Sequence, residues 1–125
     1  TGQNLGCNFL FTVGRRYTTT SADTGKSSKH IPLFEYSTID ELVNNLPKGC
    51  PLVGVELDNK ARPLETFCHP LQACYMLGAE DHGIPPEILK KCHFITQIGS
   101  SKGCLNVSVA GSIVMYDRIL KQQKV

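Results

Sequence analysis

Short apolar runs stopped by glycine or polar residues alternate along the chain with segments of helical period, the pattern of an α/β domain. Residues Asn8-Phe9-Leu10-Phe11-Thr12-Val13 read as a buried strand stopped by Gly14. The stretch from Arg15 to His30 is polar and has no hydrophobic period, which predicts an exposed loop. Ile31 to Tyr36 is a short strand. Ser37 to Leu42 opens a helix capped by Ser37 or Thr38, with acids in its first turn. Pro51–Leu57, Ala73–Leu77 and His93–Ile98 are further strands, the last two running into Gly78 and Gly99. Pro85 to Lys90 suits the first turns of a short helix, where proline is tolerated. The longest helix runs from about Leu105 to Gln122 and carries two apolar stripes. Leu105, Val109, Ile113, Tyr116 and Leu120 form one; Val107, Ala110 and Val114 form the other. A helix apolar on nearly every side until Asp117 is expected to be buried along most of its length.

A length of 125 residues fits one domain. A hydrophobic fraction of 41% against 19% charged excludes general disorder. No run of about 18 apolar residues exists, so no membrane-spanning helix and no membrane partner are expected. No signal peptide is recognisable, and the expected location is intracellular, in the cytoplasm. Thirteen Lys+Arg against eleven Asp+Glu leave a net charge of +2, too small to diagnose nucleic-acid binding. Local clusters matter more. Arg15, Arg16 and Tyr17 at one end of the polar loop, with Lys26 and Lys29 near the other, suit phosphate contacts and base stacking. A merely solvated loop is the competing reading.

Six cysteines stand at 7, 50, 68, 74, 92 and 104, with no Cys-x-x-Cys. Most lie beside apolar runs and read as reduced, core-type thiols. Cys68-His69 and Cys92-His93 raise a zinc-binding interaction domain as an alternative, although their spacings match no zinc pattern and no metal is expected. Gly25-Lys26-Ser27 ends like a P-loop, but Thr20 stands where the first glycine belongs and no helix follows. Asn106-Val107-Ser108 fits a glycosylation acceptor only by pattern, inside a helix expected to be buried.

The informative segment runs from Tyr75 to Ser108. A strand leads through Gly78-Ala79-Glu80-Asp81-His82-Gly83 into a helix, and another leads through Gly99-Ser100-Ser101-Lys102-Gly103 into the last helix. Glycine turns at the carboxyl ends of strands let backbone amides approach a ligand, where open α/β sheets place their sites. Ordinary strand-to-helix turns, with Asn106 as a helix cap, are the alternative.

The run Leu77-Gly78-Ala79-Glu80-Asp81-His82-Gly83-Ile84, followed by Cys104-Leu105-Asn106-Val107-Ser108-Val109-Ala110, resembles the second and third motifs of the SpoU/TrmH family. These are SPOUT-class RNA ribose 2′-O-methyltransferases. The resemblance implies an α/β fold with a parallel sheet flanked by helices and a C-terminal trefoil knot. It further implies S-adenosyl-L-methionine as cofactor, tRNA or rRNA as substrate, and a homodimer. By motif position, Glu56, Leu77, Gly78, Glu80, Ile98, Cys104 and Leu105 line the cofactor, and Glu80 and Asn106 stand nearest the chemistry. Cys104 replaces the usual Ser of the third motif, and the Asn-x-Gly…Arg first motif is expected upstream of Thr1. The 125 residues alone are therefore expected to be inactive. A catalytically inactive cofactor- or RNA-binding relative is the alternative function. A Gly78→Arg change is expected to block the pocket while leaving a folded protein.

Overall fold

Leu52 and Val53 lose all solvent exposure, and the fold is built outward from them. The computed structural model describes residues 9–13, 32–78, 83–99 and 107–122, within two compact units, Thr1–Asn45 and Leu46–Val125. In the second unit, strands β3 (Leu52–Val55), β4 (Arg62–Pro63), β5 (Cys74–Leu77) and β6 (Phe94–Gln97) form one sheet in the order β4-β6-β3-β5. Every pairing is parallel. A parallel strand with neighbours on both sides is covered on both faces, which is why β3 is a continuous apolar run. Full burial of such side chains stabilises by about 1.5–3 kcal/mol each. Gly54, between Val53 and Val55, leaves room on one face for Leu89 and Cys92: a Cβ there would lie 2.9 Å from Cys92 Sγ and 3.2 Å from Leu89 Cδ1. Leu89 closes α2 (Pro86–Leu89), which starts on proline as expected.

The edge strand β4 was not foreseen by apolar periodicity, because it is two exposed residues long. Pro63 has no N–H to offer and is tolerated only at such an edge. Its neighbour β6 holds it through Thr96, whose fully buried hydroxyl donates to the Arg62 carbonyl at 2.8 Å. A 3₁₀ turn at Leu64–Thr66 follows. It delivers Leu64 and Phe67 into a core shared with Val53 and Val114.

Val114 comes from α3 (Val107–Gln122), and the structure corrects the expectation that this helix is buried along most of its length. One stripe is in the core: Ala110 is 8% exposed and Val114 1%. The other faces outward, with Val109, Ile113, Tyr116 and Leu120 at 38–56%. A single sheet face covers one stripe of a helix and no more. Residues 100–106, through which the expected knot would close, lie outside the described residues.

In the first unit, β1 (Leu10–Val13) pairs in parallel with β2 (Leu33–Tyr36), Leu10 opposite Leu33 and Val13 opposite Tyr36. Phe11, Phe9, Phe34 and Tyr36 form a chain of ring contacts with centroids 6.0–6.4 Å apart, tilted between Phe11 and Phe9, edge-to-face between Phe9 and Phe34, and stacked between Phe34 and Tyr36. Helix α1 (Ile39–Asn44) is capped by Thr38, whose Oγ1 accepts from the Glu41 amide at 3.2 Å. Such caps contribute about 1 kcal/mol. Among the described residues, no helix is long and apolar enough to cross a membrane.

Candidate functional site

The register of the sheet brings three strand ends into line. Val55, the last residue of β3, is paired with Leu77 of β5 on one side and Thr96 of β6 on the other. The next residues on these three strands, Glu56, Gly78 and Gln97, therefore sit side by side, with Ile98 one step on. β5 and β6, consecutive in the chain, flank β3 on opposite sides, and α/β sheets place their ligand crevices at the carboxyl ends of such parallel strands. Each flanking strand then turns on a left-handed glycine, Gly83 at φ +66° and Gly99 at φ +64°.

Gly78 and the Gly83–Ile84 backbone cross tightly at the end of β5. A Cβ on Gly78 would lie 2.5 Å from Gly83 Cα and nearer still to the Gly83 carbonyl carbon and the Ile84 nitrogen. All three are backbone atoms, so nothing can swing aside. A Cβ on Gly83 would in turn collide with Glu56 Oε1. The expectation that Gly78→Arg blocks a pocket and spares the fold is thus revised, since even Ala must displace the Gly83–Ile84 backbone. The Glu56 carboxylate accepts from the Ile84 amide on Oε1 at 2.6 Å and from its own neighbour's amide, Leu57, on Oε2 at 3.1 Å. Its main-chain N–H continues the ladder to the Thr96 carbonyl at 3.0 Å. Leu77 and Ile98 are half-buried, and Ile98 packs on the core around Val53. Helix α3 passes over Leu77 closely enough that a Cβ on Gly111 would touch Leu77 Cδ1 at 3.3 Å.

Of the expected cofactor residues, Glu56, Leu77, Gly78 and Ile98 are brought together. Glu80, Cys104, Leu105 and Asn106 lie outside the described residues, as do Arg15, Arg16, Tyr17, Lys26 and Lys29 of the basic loop. The histidines weighed as zinc ligands are engaged otherwise. His93 Nδ1 accepts from the Leu52 amide at 2.9 Å, extending the β3–β6 ladder by a side chain. His69 Nε2 meets Asp117 Oδ2 at 2.7 Å, and its Nδ1 meets the Tyr75 hydroxyl at 2.6 Å. Among the described residues, no group of three or more His, Cys, Asp or Glu is placed to hold a metal ion. Burial pushes the Cys92 thiol up to about 11, so it is not a nucleophile at neutral pH.

The His69 cluster is what sequence reasoning missed. Arg118 Nη1 donates to the Tyr75 hydroxyl at 3.0 Å and to the Pro70 carbonyl at 2.7 Å. Lys121 Nζ bonds the Phe67 carbonyl at 2.9 Å and Asp117 at 2.8 Å. Burial lowers the His69 pKa despite Asp117, with the cations Lys121 and Arg118 adding to the effect. The neutral ring donates from Nε2 to Asp117 and accepts the Tyr75 proton on Nδ1, leaving neither nitrogen idle. Burial also raises Tyr75, so its hydroxyl keeps its proton. For Asp117, burial works upward but is outweighed by the hydrogen bonds from Lys121 and His69, and its pKa is lowered. The cluster pins the last turns of α3 to the 64–75 segment. A signal existed: Asp117, Arg118 and Lys121 continue the buried stripe of Ala110 and Val114 at helical spacing.

Comparison with known proteins adds the following. Residues 2–116 match the model of the SpoU rRNA Methylase family. An uncharacterized tRNA/rRNA methyltransferase of Archaeoglobus fulgidus is 33% identical over 98 residues, which cover 76% of this chain and 42% of the relative. The fold is similar to that of an AdoMet-bound rRNA methyltransferase from Sinorhizobium meliloti: TM-score 0.80 at 18% identity, over 96% of this chain and 48% of that one. It is also similar to the SpoU methyltransferase AviRb of Streptomyces viridochromogenes in complex with AdoMet: TM-score 0.80 at 17% identity, over 97% and 50%. The chain spans about half the length of the curated relatives it matches.

Proposed function

The chain belongs to the SpoU rRNA methylase family, and from that premise we propose that it binds S-adenosyl-L-methionine and serves methyl transfer to a ribose 2′-hydroxyl of tRNA or rRNA. The observation that carries the reading is the convergence of Glu56, Leu77, Gly78 and Ile98 at three adjacent parallel strand ends. The residues fit the cofactor's demands. Leu77 and Ile98 offer apolar surface to an adenine, and side-chain-free glycines leave backbone amides within reach of it.

When bound, the cofactor supplies a methyl group on a sulfonium that is already electrophilic. The protein's share is alignment, which contributes roughly 7–11 kcal/mol in favourable cases. In the proposed site Leu77, Gly78, Ile98, Cys104 and Leu105 would line the adenosine end. Glu80 and Asn106 are proposed nearest the ribose and its departing proton. Arg15, Arg16, Lys26 and Lys29 are proposed to hold the RNA by its phosphates, a contact that positions without reading sequence. A homodimer through α3 is part of the proposal. Its support is the outward stripe of Val109, Ile113, Tyr116 and Leu120, an apolar surface of the kind that marks association.

Incubation with methyl-labelled S-adenosylmethionine and bulk tRNA or rRNA, followed by nuclease digestion, tests the reaction. The expected product is a 2′-O-methylated nucleoside. Label found on a base contradicts the ribose assignment, and cofactor binding without transfer returns the inactive-relative reading.

A further inference from the structure

We infer that Glu56 is a positioning residue for this site: its carboxylate ties the Gly83–Ile84 backbone across the end of β3 and so fixes where that backbone crosses Gly78, without itself touching the cofactor. The inference rests on the cofactor reading above and changes one part of it: Glu56, expected from its motif position to line the cofactor, acts on the site through the Gly83–Ile84 backbone.

The geometry is an interlock of three pieces. Glu56 Oε1 accepts from the Ile84 amide at 2.6 Å and Oε2 from the Leu57 amide at 3.1 Å, so each oxygen is already engaged by backbone. Ile84 is 6% exposed, which makes water a poor substitute acceptor. Gly83 has no room for a Cβ because the carboxylate occupies it, and Gly78 has none because Gly83 and Ile84 do. The Glu56 amide meanwhile donates to the Thr96 carbonyl of β6. One residue therefore joins the end of β3, the end of β6 and the turn that follows β5. Bonds to a charged acceptor are roughly twice as strong as neutral ones, and a carboxylate with two oxygens fixes direction as well as distance. Without it the buried Ile84 amide would lose the acceptor that the described residues give it.

A positioning role and a ligand role predict different behaviour. Gln at 56 loses the charge but keeps a carbonyl that can accept from Ile84, whereas Ala keeps neither. The test is calorimetric titration of S-adenosylmethionine into the wild-type chain, Glu56→Gln, Glu56→Ala and Gly83→Ala, with hydrogen exchange read at the Ile84 amide. Glu56→Gln is expected within about threefold of wild-type affinity, as for one modest neutral bond. Glu56→Ala is expected to bind about 5- to 150-fold more weakly, the cost of a buried donor left unpaired, and to exchange Ile84 faster. Gly83→Ala keeps the charge but drives a Cβ into Oε1, so its affinity should fall as well; it carries the comparison if Glu56→Ala does not fold.

Equal loss in Glu56→Gln and Glu56→Ala would make Glu56 a charged ligand and overturn the inference. So would wild-type affinity in Glu56→Ala or in Gly83→Ala, or Ile84 exchange that is the same in every variant. No binding by the wild-type chain overturns the cofactor reading and this inference together. Normal binding by wild type and Glu56→Ala alike overturns this inference alone.

Discussion

Gly78→Ala is the smallest change that tests how the site is built. Gly78 does not adopt a left-handed conformation, unlike Gly49, Gly83 and Gly99, so its glycine is required by space and not by φ. The added methyl would overlap Gly83 Cα at 2.5 Å and two other backbone atoms more severely. Forcing one methyl into a packed site costs about 1–3 kcal/mol. Moving the Gly83–Ile84 backbone away also breaks the Ile84 amide's bond to the Glu56 carboxylate, a charged hydrogen bond worth about 1.5–3 kcal/mol. The sum is about 2.5–6 kcal/mol, a large part of the ~5–15 kcal/mol that keeps a domain folded. Urea unfolding followed by circular dichroism should show the midpoint falling by at least about 1 M. Gly49→Ala is the control: its φ is +79° and nothing lies within 4 Å of the added Cβ. That change carries only left-handed strain, about 1–2 kcal/mol. If Gly78→Ala unfolds at a urea concentration equal to or above that of Gly49→Ala, the tight backbone crossing does not exist and the site geometry argued from it fails.

Tyr75→Phe removes the hydroxyl shared by His69 and Arg118 and should cost about 1–3 kcal/mol in denaturant unfolding, since partners are left unpaired in the interior; a change below the error of the measurement contradicts the network. Because burial holds His69 below its ordinary 6.5, the unfolded chain binds more protons as pH falls through 6.5, and stability should drop from pH 7.5 to 5.5. Asp117, held below its ordinary 3.8, adds a further loss below that pH as it protonates. The urea midpoint of His69→Asn should depend less on pH than wild type over 5.5–7.5, and equal slopes would show that another group is responsible. Ile113→Lys places a charge in the outward stripe of α3 and should shift a dimer to monomer in light scattering at micromolar concentration. A wild-type chain that is already monomeric there would refute the proposed dimer.

The elements were largely legible in the sequence because each carries its own local signal. Short apolar stretches, two of them ending in glycine, marked β3, β5 and β6 within a residue or two, and Thr38 before two acids marked the start of α1. The two motifs likewise pointed to the family through residues adjacent in the chain. What local pattern could not supply was anything set by register or by what covers what. Only the pairing of Val55 with both Leu77 and Thr96 brings Glu56, Gly78 and Ile98 to one edge. Only the crossing of two backbone segments explains why Gly78 admits no side chain. The edge strand β4 exists because Thr96 reaches Arg62 across the sheet, a contact 34 residues apart in sequence. The two stripes of α3 are alike in composition, and the sheet, having one face to offer it, buries Val114 and leaves Ile113 to solvent. The His69 cluster joins residues 48 positions apart, and its charges had no reason to be internal until the helix was laid against carbonyls that needed donors. Periodicity reports which residues share a face of one element; which faces meet is decided by close packing, where one methyl group is enough to forbid an arrangement.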